Sequence, residues 1–307
     1  MPDSPRVVSL LPSATEIVAA LGVQPVATSH ECDYPPSATD LPSVVESRID
    51  ASASSAEIDE QVQQAASEGG VYRIDREALV AADPDVIISQ GMCEVCAVDT
   101  VIVESAIEEL GLDCELVTTD PHSVADILGD IGAIGEALDR SERATELIEE
   151  LRSRIDHIAE KAETSPIRPE IAVLDWLDPP MVAGHWVPEL VELAGGTYGL
   201  ADPADASTPR EWEQIREYDP DVLVAAPCGF EIEQTFENRD DLTSRDGWSS
   251  LRAVRMNRVY AMDGHHLTNR PGPRVVETLE TLASLIHPEM FEPPEPWMVS
   301  SFSDRPK

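Results

Sequence analysis

An α/β fold of two lobes, each with a central, mainly parallel sheet flanked by helices and the two joined by one long helix, is predicted by three features of the 307-residue sequence. Short apolar runs alternate with helix-length amphipathic segments, the pattern of strands covered by helices on both faces. The hexapeptide Asp83-Pro84-Asp85-Val86-Ile87-Ile88 returns as Asp219-Pro220-Asp221-Val222-Leu223-Val224, so one supersecondary unit occurs twice. Between the copies, residues 141–163 keep helical apolar spacing without interruption.

Taken in order, Val7, Val8 and Leu10 form a first strand, broken at Pro12. A helix follows: Ser13 and Glu16 have capping-box spacing, Ile17, Ala20 and Leu21 supply the apolar face, and Gly22 ends it. Residues 86–89 read as a buried strand, Val103, Ala106, Ile107 and Leu110 as a helical stripe stopped by Gly111, and 114–117 as a strand. Val124, Ile127, Leu128, Ile131 and Leu138 mark another helix. The long helix from Ser141 to Glu163, with Ala144, Leu147, Leu151, Ile155 and Ile158 on one face, ends before Pro166 and Pro169. The pattern then restarts with a strand at 171–174, a loop rich in Asp and Pro, and a helix carrying Val187, Leu190, Val191 and Ala194. A last strand and helix fall at Val259–Met262 and Val275–Ile286. The expected division is an N-terminal lobe 1–139, a bridging helix 140–165, a C-terminal lobe 166–287 and a Pro-rich tail 288–307, surface-bound or mobile.

Composition limits the partners. Against 59 Asp and Glu stand 21 Lys and Arg, for a net charge of -38, which disfavours nucleic acid and anionic membranes. Lys161 and Lys307 are the only lysines, a skew that resembles halophilic proteins, whose self-repulsion is screened at high salt. No apolar stretch approaches the roughly 18 residues of a membrane span. Five cysteines, an odd number in a long chain, are expected to be reduced. Residues 1–8 carry no basic region and no apolar h-region, so a cytoplasmic monomer is expected, with the extracellular face of the membrane as the alternative.

Ligands of open parallel α/β sheets sit beyond the carboxyl ends of the strands. Those ends fall at 11–15, 30–34, 91–96, 175–180, 184–186, 226–230 and 264–269. The loops contain Ser13, His30, Cys32, Tyr34, Cys93, Cys96, Trp176, His185, Trp186, Cys228, Phe230 and His265, the candidate ligand-binding residues. Cys114 starts a strand and is expected to pack as a small apolar residue. Thiolate and imidazole suit Zn, Fe or Cu, so Cys32, Cys93, Cys96 and Cys228 form a candidate metal set, although each cysteine alone is more often a buried small residue. Trp176, Trp186 and Phe230 offer flat surfaces for a large conjugated ligand or pack lobe against lobe. Ser13, at the start of the first helix, offers backbone N–H groups to an anionic substituent or caps the helix. No nucleophile elbow, phosphate-cradling glycine loop or His-Glu-x-x-His motif is present, which argues against an enzyme.

The run Arg6-Val-Val-Ser-Leu-Leu-Pro-Ser-Ala-Thr-Glu-Ile17, with Ala20-Leu-Gly22 and Asp33-Tyr-Pro-Pro36, resembles the opening of the cobalamin and iron-siderophore substrate-binding proteins of ABC importers. The resemblance continues through Pro179-Pro180, Glu192-Leu-Ala-Gly-Gly196 and Arg270-Pro-Gly-Pro-Arg274, and is nearest to the cobalamin branch, as a Cys-rich subgroup. It implies two lobes bridged by a single helix, a corrinoid or related metal chelate held between them, and uptake through an ABC permease. His30, His185 or His265 would then approach an axial position of the metal. The alternatives are a cytosolic Cys/His metal-binding or thiol-based sensor or carrier and, behind it, an enzyme acting on such a ligand.

Overall fold

In the computed structural model, which describes residues 5–68, 70–91, 98 and 100–304, the α/β pattern is realised in two units. One comprises the chain up to Ala53, Glu57–Pro121 and Ala125–Glu150; the other comprises Ser54–Ala56, His122–Val124 and everything from Leu151 onward. The elements of the first half are β1 (Val7–Ser9), α1 (Pro12–Ala20), β2 (Thr28–Ser29), β3 (Ser43–Ser47), α2 (Ser55–Ser67), β4 (Tyr72–Ile74), α3 (Arg76–Ala82), β5 (Val86–Gln90), α4 (Thr100–Leu110), β6 (Glu115–Thr119), α5 (Val124–Ala137) and α6 (Ser141–Glu163). Strands β1, β5 and β6 form a parallel sheet in that order, with Val8 opposite Ile87 and Ile87 opposite Leu116. A second small sheet, β2-β3-β4, has strands too short for periodicity to reveal.

The second half runs β7 (Ile171–Leu177), β8 (Pro180–Val182), α7 (Val187–Leu193), β9 (Thr208–Pro209), α8 (Trp212–Tyr218), β10 (Val222–Ala225), α9 (Ile232–Glu237), α10 (Asp240–Thr243), α11 (Arg252–Arg255), β11 (Val259–Met262), α12 (Val275–Ile286) and β12 (Val299–Ser301). Its sheet has the order β12-β11-β10-β7-β8-β9. The inner strands β11, β10 and β7 are parallel and buried; β8, β9 and β12 join antiparallel at the two sides.

The repeated hexapeptide folds the same way twice. Asp83 ends α3 and Asp219 ends α8, both in the left-handed region at φ 46° and 49°. Two residues later a carboxylate fastens the neighbouring strand: Arg6 N–H donates to Asp85 Oδ2 at 2.7 Å, and Glu170 N–H to Asp221 Oδ2 at 2.9 Å. The backbones reply, Asp85 N–H to Arg6 O at 2.8 Å and Asp221 N–H to Glu170 O at 2.7 Å. Each copy thus sets the register of a parallel strand pair.

Three expectations change. Ser13 and Glu16 do not form a capping box, because Pro12, with φ preset for the first helical position, starts the helix two residues earlier and leaves Leu11 as N-cap. The Asp- and Pro-rich stretch 175–180 is not a free loop, since β7 runs to Leu177 and turns straight into β8. Of the two alternatives for the tail, the bound one holds and the mobile one drops out for residues 299–301: β12 pairs with β11, Met262 opposite Val299.

Candidate functional site

In the first unit, β1 feeds directly into α1, which puts Ser13 at the second helical position and buries it at 4% exposure. Two residues on, the Thr15 hydroxyl lies 2.8 Å from Ser9 Oγ and 3.0 Å from Cys32 Sγ. Cys32 N–H donates to Ser29 O at 3.1 Å, so this thiol is buried and engaged within the fold. His30 places Nδ1 3.4 Å from Ser29 Oγ and its ring 5.6 Å from Tyr72. Tyr34, 44% exposed, is open to solvent. Cys93 and Cys96 lie outside the described residues. Cys114 packs against the first unit's core, as expected, and burial pushes its thiol pKa up.

In the second unit the carboxyl end of β7 carries Asp175 and Trp176. Trp176 and Phe230 are buried with ring centroids 5.2 Å apart, and the Trp176 Nε1 donor, shielded from solvent, has no hydrogen-bond partner. Cys228 N–H donates to Asp175 O at 2.9 Å, holding the β10 loop against β7. Burial pushes the Asp175 carboxyl up to about 6, with a hydrogen bond from the Ser207 hydroxyl pulling the other way. Gly184 is required where the next loop passes, because a Cβ there would lie 2.2 Å from Asp205 O. His185 follows at φ 53°, its ring 5.5 Å from His122 and 5.8 Å from Trp186. Trp186 is buried and donates Nε1–H to Thr268 O at 3.1 Å.

After β11, Asp263 caps a wide helical turn, Gly264–Thr268, accepting from His266 N–H at 2.6 Å and facing His266 Nδ1 at 3.1 Å. His265 Nε2 lies 2.8 Å from Nη2 of the buried Arg270. A guanidinium only donates, so Nε2 accepts and the ring carries its proton on Nδ1. In this arrangement Nε2 is engaged by Arg270.

The structure therefore brings Trp176, Phe230 and the Cys228 backbone together, and His185 with Trp186. It does not present the three aromatic rings as open surfaces: Trp186 and Phe230 are packed inside the unit. Cys32 and Cys228 of the candidate metal set fall in different units. Sequence reasoning missed Gln90, Asp175, Ser207, Asp263 and Arg270. Asp263 had a signal, an Asp at a strand end three residues before His266, the spacing of a side-chain cap; Arg270 stood in the Arg-Pro-Gly-Pro-Arg run.

A family model described as periplasmic binding protein matches residues 7–265. The chain is 25% identical over 294 residues to an uncharacterised ABC transporter substrate-binding lipoprotein, YvrC, of Bacillus subtilis, covering 94% of this chain and 81% of that one. It is 24% identical over 284 residues to the vitamin B12-binding protein of Vibrio cholerae, covering 92% and 88%. Its fold matches a periplasmic heme-binding protein of Pseudomonas aeruginosa with a TM-score of 0.74 at 20% identity, over 99% of this chain and 100% of that one. The family match and the lipoprotein relative overturn the cytoplasmic expectation, and the cytosolic sensor falls with it. With the family model spanning both units, the chain belongs to the periplasmic binding protein family, as a non-enzymatic substrate-binding protein.

Proposed function

We propose that the protein is the substrate-binding component of an ABC importer for a corrinoid, taken up at the carboxyl-end loops of the parallel strands. The observation that carries this reading is the match to a vitamin B12-binding protein along 92% of the chain, through both units. The site supports it chemically. Trp176 offers an indole N–H with no internal acceptor, beside half-buried Asp175, and a corrinoid carries peripheral carboxamides that accept such donors. In this reading the ligand-bearing lobes are 1–139 and 166–287, the helix 140–165 carries the chain from one to the other, and a permease receives the loaded protein. Cys32 and Cys228 act as packed thiols under the ligand loops rather than as metal ligands, in keeping with the buried, hydrogen-bonded sulfur of Cys32.

Equilibrium dialysis against cyanocobalamin, with hemin as competitor, tests the reading. Retention of one cyanocobalamin per chain that hemin does not displace supports it. Retention of hemin alone assigns the site to a porphyrin and refutes the corrinoid.

A further inference from the structure

Helix α1 starts with its first turn uncapped. Leu11 at the N-cap is extended and has no side-chain oxygen, and Pro12 has no N–H to offer. Thr15 N–H returns to Leu11 O at 3.2 Å. The N–H groups of Ser13 and Ala14 are left without an acceptor among the described residues, although both residues are buried, at 4% and 1% exposure.

A separate donor lies on the sheet face that α1 covers. Gln90, the last residue of β5, is 5% exposed, and its Nε2 has no hydrogen-bond partner. The pleat gives its direction. Ser9 pairs with Ile88, so their side chains share a face, and Gln90, two residues past Ile88, points to that face as well. Thr15 of α1 sets its hydroxyl 2.8 Å from Ser9 Oγ, which identifies the face as the one α1 covers. Leu10 N–H donates to Ile88 O at 3.0 Å and holds the strand-to-helix junction beside the end of β5. Buried donors are ordinarily paired, so two N–H groups at a positive helix end and a third donor on the face that this helix covers describe a place for an oxygen.

We infer that the first turn of α1 and the Gln90 amide form a subsite for one oxygen-acceptor group on the rim of the bound macrocycle, a carboxamide carbonyl or a carboxylate. This rests on the ligand class proposed above and adds which part of the ligand the first unit reads. Ser13 and Ala14 N–H donate to one side of the oxygen and Gln90 Nε2 to the other. Glu16, one turn further along α1, is buried and engages partners of its own. A corrinoid brings carboxamides to this subsite, and a porphyrin brings carboxylates.

The test is a tryptophan-fluorescence titration of wild type, Gln90→Leu and Gln90→Glu with cyanocobalamin and with hemin, after each melting temperature has been measured. Gln90→Leu is expected to fold as well as wild type and to bind whichever ligand wild type binds about fivefold or more weakly, the loss of one buried hydrogen bond. Gln90→Met serves in its place if the leucine variant melts early. Gln90→Glu separates the sources. A carboxamide can turn its NH2 toward the new carboxylate, so cyanocobalamin is held more tightly than by Gln90→Leu, whereas a carboxylate is repelled and hemin is held more weakly. Equal affinity of wild type and Gln90→Leu for a ligand that wild type binds overturns the subsite alone. Binding of neither ligand by wild type overturns the subsite and the ligand class together.

Discussion

Asp175 is placed where a carboxylate is poorly solvated: on β7, with Oδ1 sealed from water and without a partner. Its pKa rises from 3.8 to about 6 because burial penalises the charged form. A carboxyl raised in this way favours folding while protonated, so its contribution is complete below about pH 4 and is lost as pH climbs through 6. The loss is at most about 3 kcal/mol. Asp130, pushed up to about 7 by burial and by Asp126 and Asp120, acts in the same direction. Asp175→Asn is therefore predicted to melt on the order of 5 °C above wild type at pH 8 and level with it at pH 4. Equal melting at both pH values would mean that the carboxyl is solvated after all. A neighbouring position has no such latitude: Gly184→Ala drives a methyl group against the Asp205 carbonyl, and a loss of about 3 kcal/mol is expected in denaturant unfolding.

The two copies of the repeated hexapeptide give a matched pair of tests for the elements. Asp83 and Asp219 share a left-handed backbone; Asp83 accepts from Arg6 Nε through its backbone carbonyl, whereas the Asp219 side chain takes part, its Oδ1 accepting from Arg252 N–H at 2.7 Å. Asp83→Gly is predicted to stabilise by about 0.5 to 1 kcal/mol through relief of the left-handed strain. Asp219→Gly should instead destabilise by about 1 kcal/mol, because the lost hydrogen bond outweighs that relief. The same sign from both would show that backbone strain alone governs the turn. These elements were legible because their signals are local. Apolar spacing gives α6 and α12 to the residue, and the Asp-Pro-Asp repeat marks the starts of β5 and β10. Strands β2, β3, β4, β8, β9 and β12 were not legible: each has two to five residues, and pairing partners rather than composition make them strands. The site was legible only as a set of loops. Buried parallel strands are apolar on both faces, so no alternation tells which way Gln90 or Asp175 points until neighbouring strands fix the register.

For the molecule as a whole, 59 carboxylates against 21 cations make screening part of stability. Exposed pairs such as Arg154 and Glu280, 2.9 Å apart, are each worth at most about 1 kcal/mol and offset little of the repulsion. At 1 M salt the screening length falls to roughly 3 Å, so the melting temperature is predicted to rise by several degrees between 0.1 and 2 M KCl. A flat or falling curve would show that the charges are too dispersed to matter. The central claim concerns the ligand. Isothermal titration of the folded chain with cyanocobalamin, in the salt at which it is most stable, measures it directly. A saturable 1:1 isotherm that is weakened in Gln90→Leu is the predicted result. No heat with cyanocobalamin from a chain that saturates with hemin would contradict it.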